Sequence, residues 1–506
     1  MSEKVNYKKV TLTGMIWKFL EQVATKLIAF VVSVVLARLL FPEDYGVIAL
    51  TSIFITICDI FVSSGFATSL IQKKDTDELD YSSVFYTSLV VALILYALLF
   101  FSAPMIAEWL ETPVLCDVLR VLGIRIPIAA FGSVQQAYAT KNYMFKKFFI
   151  ATLAGTTVSG VVGIIMAYSG FGIWALVAHD LISICINKIT LFFVTKWHPR
   201  LCYSWKRTKS LFSYGWKVLA ASLFATICAE LNTLLIGKKY TTEDLAYTNK
   251  GSAMPKLIGQ FAVSPIQFVL MPVLSSKQGE KNMVHTITSC VTACAYIVFP
   301  LMCGLAIVSP TLVPLLYTDK WNGCIIFMQL MCIYYAVEPL ITINVILIQA
   351  NGKSTLYLIT GMIARIVGLI GLFIAVNFGV FWIIFTQVLT LLVNFIIVAI
   401  PNGKLYGYSF FRQIKDLVPY FLLTAVMGIS IYFMNYLPIN PYVILVLQVI
   451  SGVVLYVLLS LIFKIPAFTY LWNTVMSLLG KNKKTGEQQN TEAQEISEMI
   501  QSEEGQ

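Results

Sequence analysis

Charge is what this sequence has least of. Asp, Glu, Lys and Arg make up 12% of it, against roughly 25% in a soluble domain. With 58% hydrophobic residues and a mean hydropathy of +0.79, a soluble globular chain is excluded and an integral membrane protein is expected. Histidine is nearly missing: His179, His198 and His285 form no ligand cluster. The ten cysteines sit singly in apolar runs or short loops, without metal or redox spacing. Cys290 and Cys294 are one helical turn apart and read as small apolar packing residues. No metal site, cofactor or catalytic residue set is therefore expected. The first ten residues are polar and no small-residue cleavage site follows a short apolar core, so no cleavable signal peptide is expected.

Two short motifs also lack what their chemistry needs. Asp75-Thr76-Asp77 has the form of a glycosyltransferase metal site, but it sits in a short polar loop with no nucleotide-binding domain around it. Gly352-Lys353-Ser354 has the ending of a phosphate-binding loop, yet Leu347 stands where the earlier glycine is required.

What the chain does have is apolar length. A membrane-spanning helix needs about 20 such residues. Fourteen segments qualify, starting near Leu12, Tyr45, Ser82, Val114, Phe148, Gly172, Leu211, Leu245, Val284, Cys324, Leu356, Gly379, Leu417 and Tyr442. Breaks such as Phe41-Pro42-Glu43-Asp44, Ser169-Gly170 and Asn351-Gly352 separate them. Of the 36 Lys and Arg, twenty-three fall in one alternating set of loops, while Lys238, Lys239 and Lys320 fall in the other. Cytoplasmic loops carry the basic excess. The expectation is an all-α integral membrane fold of fourteen transmembrane helices with both termini cytoplasmic. The net charge of +10 then belongs to the membrane, and nucleic acid is not implied.

An internal echo sets the domain organisation. Trp17-Lys18 recurs as Trp216-Lys217 and Glu43-Asp44 as Glu243-Asp244, with Trp-to-Glu spacings of 26 and 27 residues. The basic loop from Lys196 to Lys209 is the natural seam. Residues 1–205 are expected to form an N-terminal lobe of helices 1–6 and residues 206–410 a C-terminal lobe of helices 7–12. An even number of helices per half makes these parallel repeats. Residues 411–464 supply helices 13 and 14, and 465–506 a cytoplasmic tail. Within that tail Pro466–Leu479 suits a surface helix, and the glutamate-rich end suits disorder.

Charges set into apolar segments each cost about 2.5–3.5 kcal/mol at a helix centre. Ten are basic: Lys18, Lys26, Arg38, Arg120, Arg125, Lys188, Lys217, Lys250, Lys256 and Arg365. Six are acidic: Glu21, Asp59, Asp117, Asp180, Glu230 and Glu338. The basic excess suits a water-filled cavity for an anionic substrate. Two bland readings compete with this one. Arg38, Arg120, Lys188 and Lys217 lie near helix ends and can snorkel, and the deeper charges can simply pair between helices. Thr11, Gly14, Lys18, Glu21 and Thr25 share one face of the first helix, and Ser52, Thr56, Asp59 and Ser63 one face of the second. Pro127, Pro265, Pro272, Pro300 and Pro339 interrupt apolar segments and mark hinges or inert kinks.

The stretches LARLLFPEDYGVIAL, GFATSLIQKKD, FGSVQQAYATKNYMFKKF, GFGIWALVAHDLI, WHPRL, TLLIGKKYTTEDLAYTNKG and FPLMCGLAIVSPTLVPLLYTDKW carry a resemblance. The chain resembles Wzx-type oligosaccharide flippases of the multidrug/oligosaccharidyl-lipid/polysaccharide exporter superfamily. It looks most like the branch tied to lipopolysaccharide, exopolysaccharide and teichuronic acid synthesis. The resemblance covers most of the first twelve segments. It departs at Tyr240-Thr241-Thr242-Glu243-Asp244-Leu245-Ala246, where the family's LGPEELG pattern loses a proline and a glycine.

The resemblance implies two six-helix lobes around a central cavity, alternating access, and residence in the cytoplasmic membrane. Its implied partners are the lipid bilayer, an undecaprenyl-diphosphate-linked oligosaccharide and, further out, polysaccharide polymerase and export machinery. Lys18, Lys26, Arg125, Lys217, Lys256 and Arg365 are then the candidates to supply positive potential to the cavity. Glu21, Asp59, Glu230 and Glu338 are candidates for charge pairing or ion coupling. Glu21 suits pairing because Lys18 lies one turn before it. Asp59 suits coupling because its own helix offers no base within a turn.

A cation-coupled drug exporter of the same superfamily would favour a net acidic cavity and twelve helices. A membrane enzyme of polysaccharide assembly would need a sizeable external loop, and the longest expected here runs only from Ser309 to Gly323. The basic split makes a direct forecast. Single cysteines placed at Lys206 and Glu243 are labelled by an impermeant reagent from the cytoplasmic and external sides respectively. Labelling of both from one side overturns the parallel-repeat arrangement.

Overall fold

The lack of water in a bilayer forces backbone groups to bond within their own segment, so long apolar runs become helices. The computed structural model describes residues 7–63, 66–73, 76–142, 144–195, 197–276 and 283–469, less the side chains of 7–16, 18–19, 66–68, 214, 262–276 and 283. No strand occurs among them. In chain order the helices are α1 (Tyr7–Leu39), α2 (Pro42–Ser63), α3 (Phe66–Gln72), α4 (Glu78–Trp109), α5 (Val114–Leu122), α6 (Arg125–Lys141), α7 (Phe145–Tyr168) and α8 (Ile173–Val194). The second part of the chain adds α9 (Trp205–Lys239), α10 (Thr242–Ser276) and α11 (Met283–Tyr317), then a 3-10 turn (Asp319–Cys324). It continues with α12 (Ile325–Ala350), α13 (Ser354–Ala375), α14 (Val380–Tyr406), α15 (Phe410–Phe433) and α16 (Pro441–Ile462).

Twelve helices among the described residues are long and apolar enough to cross a membrane. Two of the fourteen expected segments lie outside that set. The segment from Val114 is split into α5 and α6 around Gly123 and Ile124, with Pro127 in the first turn of α6, where its missing N–H costs nothing. The segment from Leu245 is α10, most of whose apolar half has side chains outside the described residues. The expected external loop from Ser309 is instead helix as far as Tyr317, because its run Thr311–Leu316 is apolar apart from one threonine and lets α11 continue. Pro300 and Pro339 fall within continuous helices. The expected surface helix and disordered tail fall, from residue 470 onward, outside the described residues.

Contacts divide the chain into two compact units. The first comprises residues 1–250, 313–324 and 372–383; the second comprises 251–312, 325–371 and 384–506. In the first unit the repeated Glu-Asp pair has a local job. Asp44 accepts from the backbone N–H of Phe41 (3.4 Å) before α2, and Asp244 accepts from the N–H (3.3 Å) and hydroxyl (2.8 Å) of Thr241 before α10. In both helices the two acids sit in the first turn, where they complement the helix dipole. The two helix starts touch. A Cβ on Gly46 would lie 1.9 Å from the Thr242 carbonyl oxygen, so only glycine lets α2 approach α10 this closely.

The Asp-Thr-Asp stretch is structural. Asp77 caps α4, accepting from the Asp80 N–H at 2.9 Å, while the Asp80 carboxylate accepts from the Asp77 N–H at 3.2 Å. Asp80 is fully buried and receives Lys73 at 2.6 Å, and Arg207 bonds Asp77 and Asp80 together. Beneath this clamp Tyr81, Val84, Phe85, Val134, Trp197 and Leu211 form a core that fastens α4 and α6 to the start of α9.

In the second unit a buried amide node joins α12, α14 and α15. Asn344 and Gln413 exchange hydrogen bonds at 2.9 and 3.0 Å, and Asn402 donates to Asn344 Oδ1 at 2.7 Å. α16 is tied to α11 through the Tyr456 hydroxyl on the Tyr296 carbonyl (2.9 Å) and the Tyr296 hydroxyl on Ser460 (3.0 Å). Such interhelical bonds are worth about 0.6 kcal/mol each in a membrane.

The backbone N–H of Asp80, with Arg207, holds the Asp77 carboxyl below the usual carboxylate range. A depressed folded-state value gives stability that is complete above the unfolded value and lost as pH falls. Asp77→Ala is expected to lower stability by about 1 kcal/mol near neutrality. The gap between variant and parent, read from thermal unfolding in detergent, should close below about pH 4.

Candidate functional site

One carboxylate and two bases meet inside the first unit. Asp59, on α2, faces Arg125 at the start of α6, with Nε to Oδ2 at 3.6 Å. Lys188, from α8, lies across Gly132 of α6: a Cβ on that glycine would sit 2.2 Å from the Lys188 Cδ. Its ammonium donates to Gln136 Oε1 at 2.8 Å and interacts electrostatically with both Asp59 and Arg125. The group thus holds two bases to one acid. Asp59 Oδ1 and Arg125 Nε are buried and have no hydrogen-bond partner among the described residues. Buried polar groups are normally satisfied; these two atoms share that state with others such as Trp197 Nε1 and the Tyr45 hydroxyl. On the neighbouring face Glu21 is buried and accepts from the Thr152 hydroxyl at 3.3 Å, and Asn187 donates to Thr152 at 3.3 Å.

The remaining expected residues are dispersed. Lys18 lies on α1 with its side chain outside the described residues. Lys26 and Glu230 are half-buried on α1 and α9, and Lys217 is exposed on α9. In the second unit Lys256 on α10 and Arg365 on α13 are exposed, while Glu338 on α12 is half-buried and accepts from Thr342 at 3.3 Å. The sequence showed no base within a turn of Asp59 on its own helix, and that reading considers one helix at a time. Arg125 reaches Asp59 from another. The sequence also offered snorkelling for Lys188, Arg38 and Arg120. Arg38 instead bonds the carbonyls of Leu316 (2.8 Å) and Leu315, and Arg120 stacks 4.7 Å over the Phe100 ring.

A second cationic centre gathers around Lys250, which the sequence offered only as one of ten embedded bases. Lys250 on α10 is enclosed by Tyr45, Tyr317 and Trp321, with ring centroids 4.5–5.3 Å away. The signal was present, since all four residues belong to stretches that carry the family resemblance. The second unit has one further feature of note, an apolar groove of about 730 Å³ between α11, α12 and α15. Phe299, Met302, Ile333, Phe421, Ile429 and Tyr432 are among its lining residues.

These observations define a class. The chain is an all-helical integral membrane protein with charges held inside its helix bundle. Its fold is the one seen in the lipid II flippase MurJ in an inward closed conformation, with a TM-score of 0.72 and 16% identity over 89% of this chain and 98% of that one. An inward-facing multidrug transporter of the MATE family, from the MOP superfamily, matches with a TM-score of 0.59 and 14% identity over 82% of this chain and 98% of that one.

Residues 35–326 match the family described as "Polysaccharide biosynthesis protein", and the chain belongs to that family. Among curated relatives, the succinoglycan biosynthesis transport protein ExoT of Rhizobium meliloti is 23% identical over 63% of this chain. That match spans 65% of ExoT, a little under two thirds of its length. The teichuronic acid biosynthesis protein TuaB of Bacillus subtilis is 25% identical over 73% of this chain and 77% of that protein. The lipopolysaccharide biosynthesis protein WzxC of Escherichia coli is 23% identical over 65% of this chain and 68% of that protein.

Asp59 and Arg125 should be energetically coupled. Their side chains are 26% and 36% exposed, so screening discounts the pair. A double-mutant cycle of Asp59→Asn and Arg125→Gln, read by thermal unfolding in detergent, is expected to give a coupling of about 1 kcal/mol. Strict additivity would mean that the two side chains are neighbours without an interaction.

Proposed function

We propose that this protein flips undecaprenyl-diphosphate-linked oligosaccharide repeat units across the cytoplasmic membrane for surface polysaccharide assembly. The movement is alternating access between an N-terminal lobe (1–205) and a C-terminal lobe (206–410), with both termini cytoplasmic. Membership of the polysaccharide biosynthesis family and the names of its relatives support the cargo class. The observation that carries the reading is the two-to-one balance of bases over acid at Asp59, Arg125 and Lys188. A diphosphate esterified at both ends brings two negative charges and accepts charge-assisted hydrogen bonds, best from Arg. In this reading Asp59 neutralises Arg125 in the empty carrier and yields it to the diphosphate. The apolar groove of the second unit has the size of a small-molecule site, about 300–1,000 Å³, and its chemistry suits a polyprenyl chain.

Lys18, Lys26, Lys217, Lys256 and Arg365 are further candidates to line the path. Glu21, Glu230 and Glu338 are candidates to balance them or to bind a driving ion. The competing reading, a cation-coupled drug exporter, draws on the likeness of fold to the MATE transporter. A basic cluster disfavours it, because cationic cargo requires the opposite charge. A membrane enzyme of polysaccharide assembly is disfavoured by a relative, ExoT, named as a transport protein.

Arg125→Ala and Lys26→Ala are each expected to abolish polymer export in a flippase-deficient strain while membrane protein levels stay normal. Lipid-linked repeat units then accumulate in the inner leaflet. Full complementation by both variants assigns these residues to structure, and restored drug resistance without polymer export supports the exporter instead.

A further inference from the structure

Lys250 is 6% exposed, and among the described residues no carboxylate stands within ion-pair distance of it. Its ammonium donates to Ser33 Oγ at 2.8 Å and to the Ser33 carbonyl at 3.2 Å, and otherwise faces the rings of Tyr45, Tyr317 and Trp321. The cage sits where the end of α1 and the start of α2 meet α10, the end of α11 and the 3-10 turn. All of these segments belong to the first unit.

The surrounding contacts all hold that junction shut. Trp321 Nε1 donates to the Ala37 carbonyl at 2.9 Å, and Arg38 donates to the carbonyls of Leu315 and Leu316. The Tyr247 hydroxyl donates to the Lys320 carbonyl at 2.9 Å, and Lys320 lies 4.4 Å over the Phe41 ring. Gly46 admits Thr242, and Gly323 admits the Tyr247 ring, whose atoms lie 2.5–2.9 Å from where a Cβ would stand.

Lys250 differs from these fasteners in sign. Burying an ammonium without a carboxylate is costly. Ring faces and a serine offset part of that cost, but an apolar side chain of equal length would keep the packing and carry no such cost. We infer that Lys250 is the element of this junction that opposes closure. Its buried charge sets the closed end near balance, so that the junction opens when the fastening contacts loosen and the ammonium regains water. The rings, Trp321 and Arg38 pull one way and Lys250 pulls the other. A flippase that alternates between two sides needs a closed end that can also be released, and a purely apolar plug here would favour one state.

The inference rests on the proposed function in taking this junction as the external end, and the test separates the two. Cys324 is fully buried beside the cage and serves as the reporter once it is the sole cysteine of the full chain. An impermeant maleimide is added to intact cells, and Asn322→Cys, an exposed position on the same turn, reports which side the turn faces. Lys250→Met is expected to slow labelling of Cys324 by roughly five-fold, and Tyr45→Leu or Trp321→Leu to speed it by a similar factor, the change that about 1 kcal/mol brings. Lys250→Leu repeats the reading if the methionine variant fails to insert. Labelling at the parental rate or faster in the Lys250 variants overturns the inference and makes the lysine one more fastener. If Asn322→Cys is labelled only from the cytoplasmic side, the orientation is wrong, and the same rate comparison in inverted vesicles still decides the role of Lys250.

Discussion

A charge packed among helices must be answered by another group or by water, and much of this structure follows from how that demand is met. Asp80 is fully buried and is answered by Lys73 and Arg207. Arg38 is answered by backbone carbonyls at the end of α11. Lys250 is answered by three rings and a serine. Apart from Lys73, seven residues from Asp80, the partners come from distant parts of the chain, so the charge costs that sequence alone counts as liabilities become the ties that join helices. In the Asp59, Arg125 and Lys188 cluster the partners are two bases from other helices, and Asp59 Oδ1 and Arg125 Nε are among the buried atoms left without a hydrogen bond in the described residues.

The repeated Glu-Asp pair shows how one local device is used twice. At the start of α2 and again of α10 the acids occupy the first helical turn and the aspartate turns back onto the preceding backbone. Gly46 then lets the two helix starts pack with no side chain between them. The altered second-copy loop, with Thr241 and Thr242 where the family has glycine and proline, keeps its capping function because the Thr241 hydroxyl and Asp244 bond reciprocally.

The apolar segmentation was legible because hydrophobic length, Pro and Gly breaks and capping acids act within a few residues of where they are read. The segments predicted from Tyr45, Phe148, Gly172, Leu356 and Tyr442 all reappear as helices. Where the reading erred, a local rule met a longer-range one. The run from Val114 looked like one span, but its helix breaks at Gly123 and Ile124, and the buried face of α5 is held by Leu115, Val118, Leu119 and Leu122. The run from Ser309 was expected as an external loop, yet its apolar residues kept it helical as far as Tyr317.

By itself the sequence determined that this is a multi-helix membrane protein with charges embedded in its spans, because composition and periodicity are properties of single segments. Which charges meet was decided only by tertiary structure. Asp59 has no base within a turn of its own helix, and it gains Arg125 because α6 packs beside α2. Lys250, Tyr45, Tyr317 and Trp321 lie up to 276 positions apart in the chain, and nothing in their spacing predicts a cage. Pairing energies depend on distance in space, and that distance is set by how the helices pack.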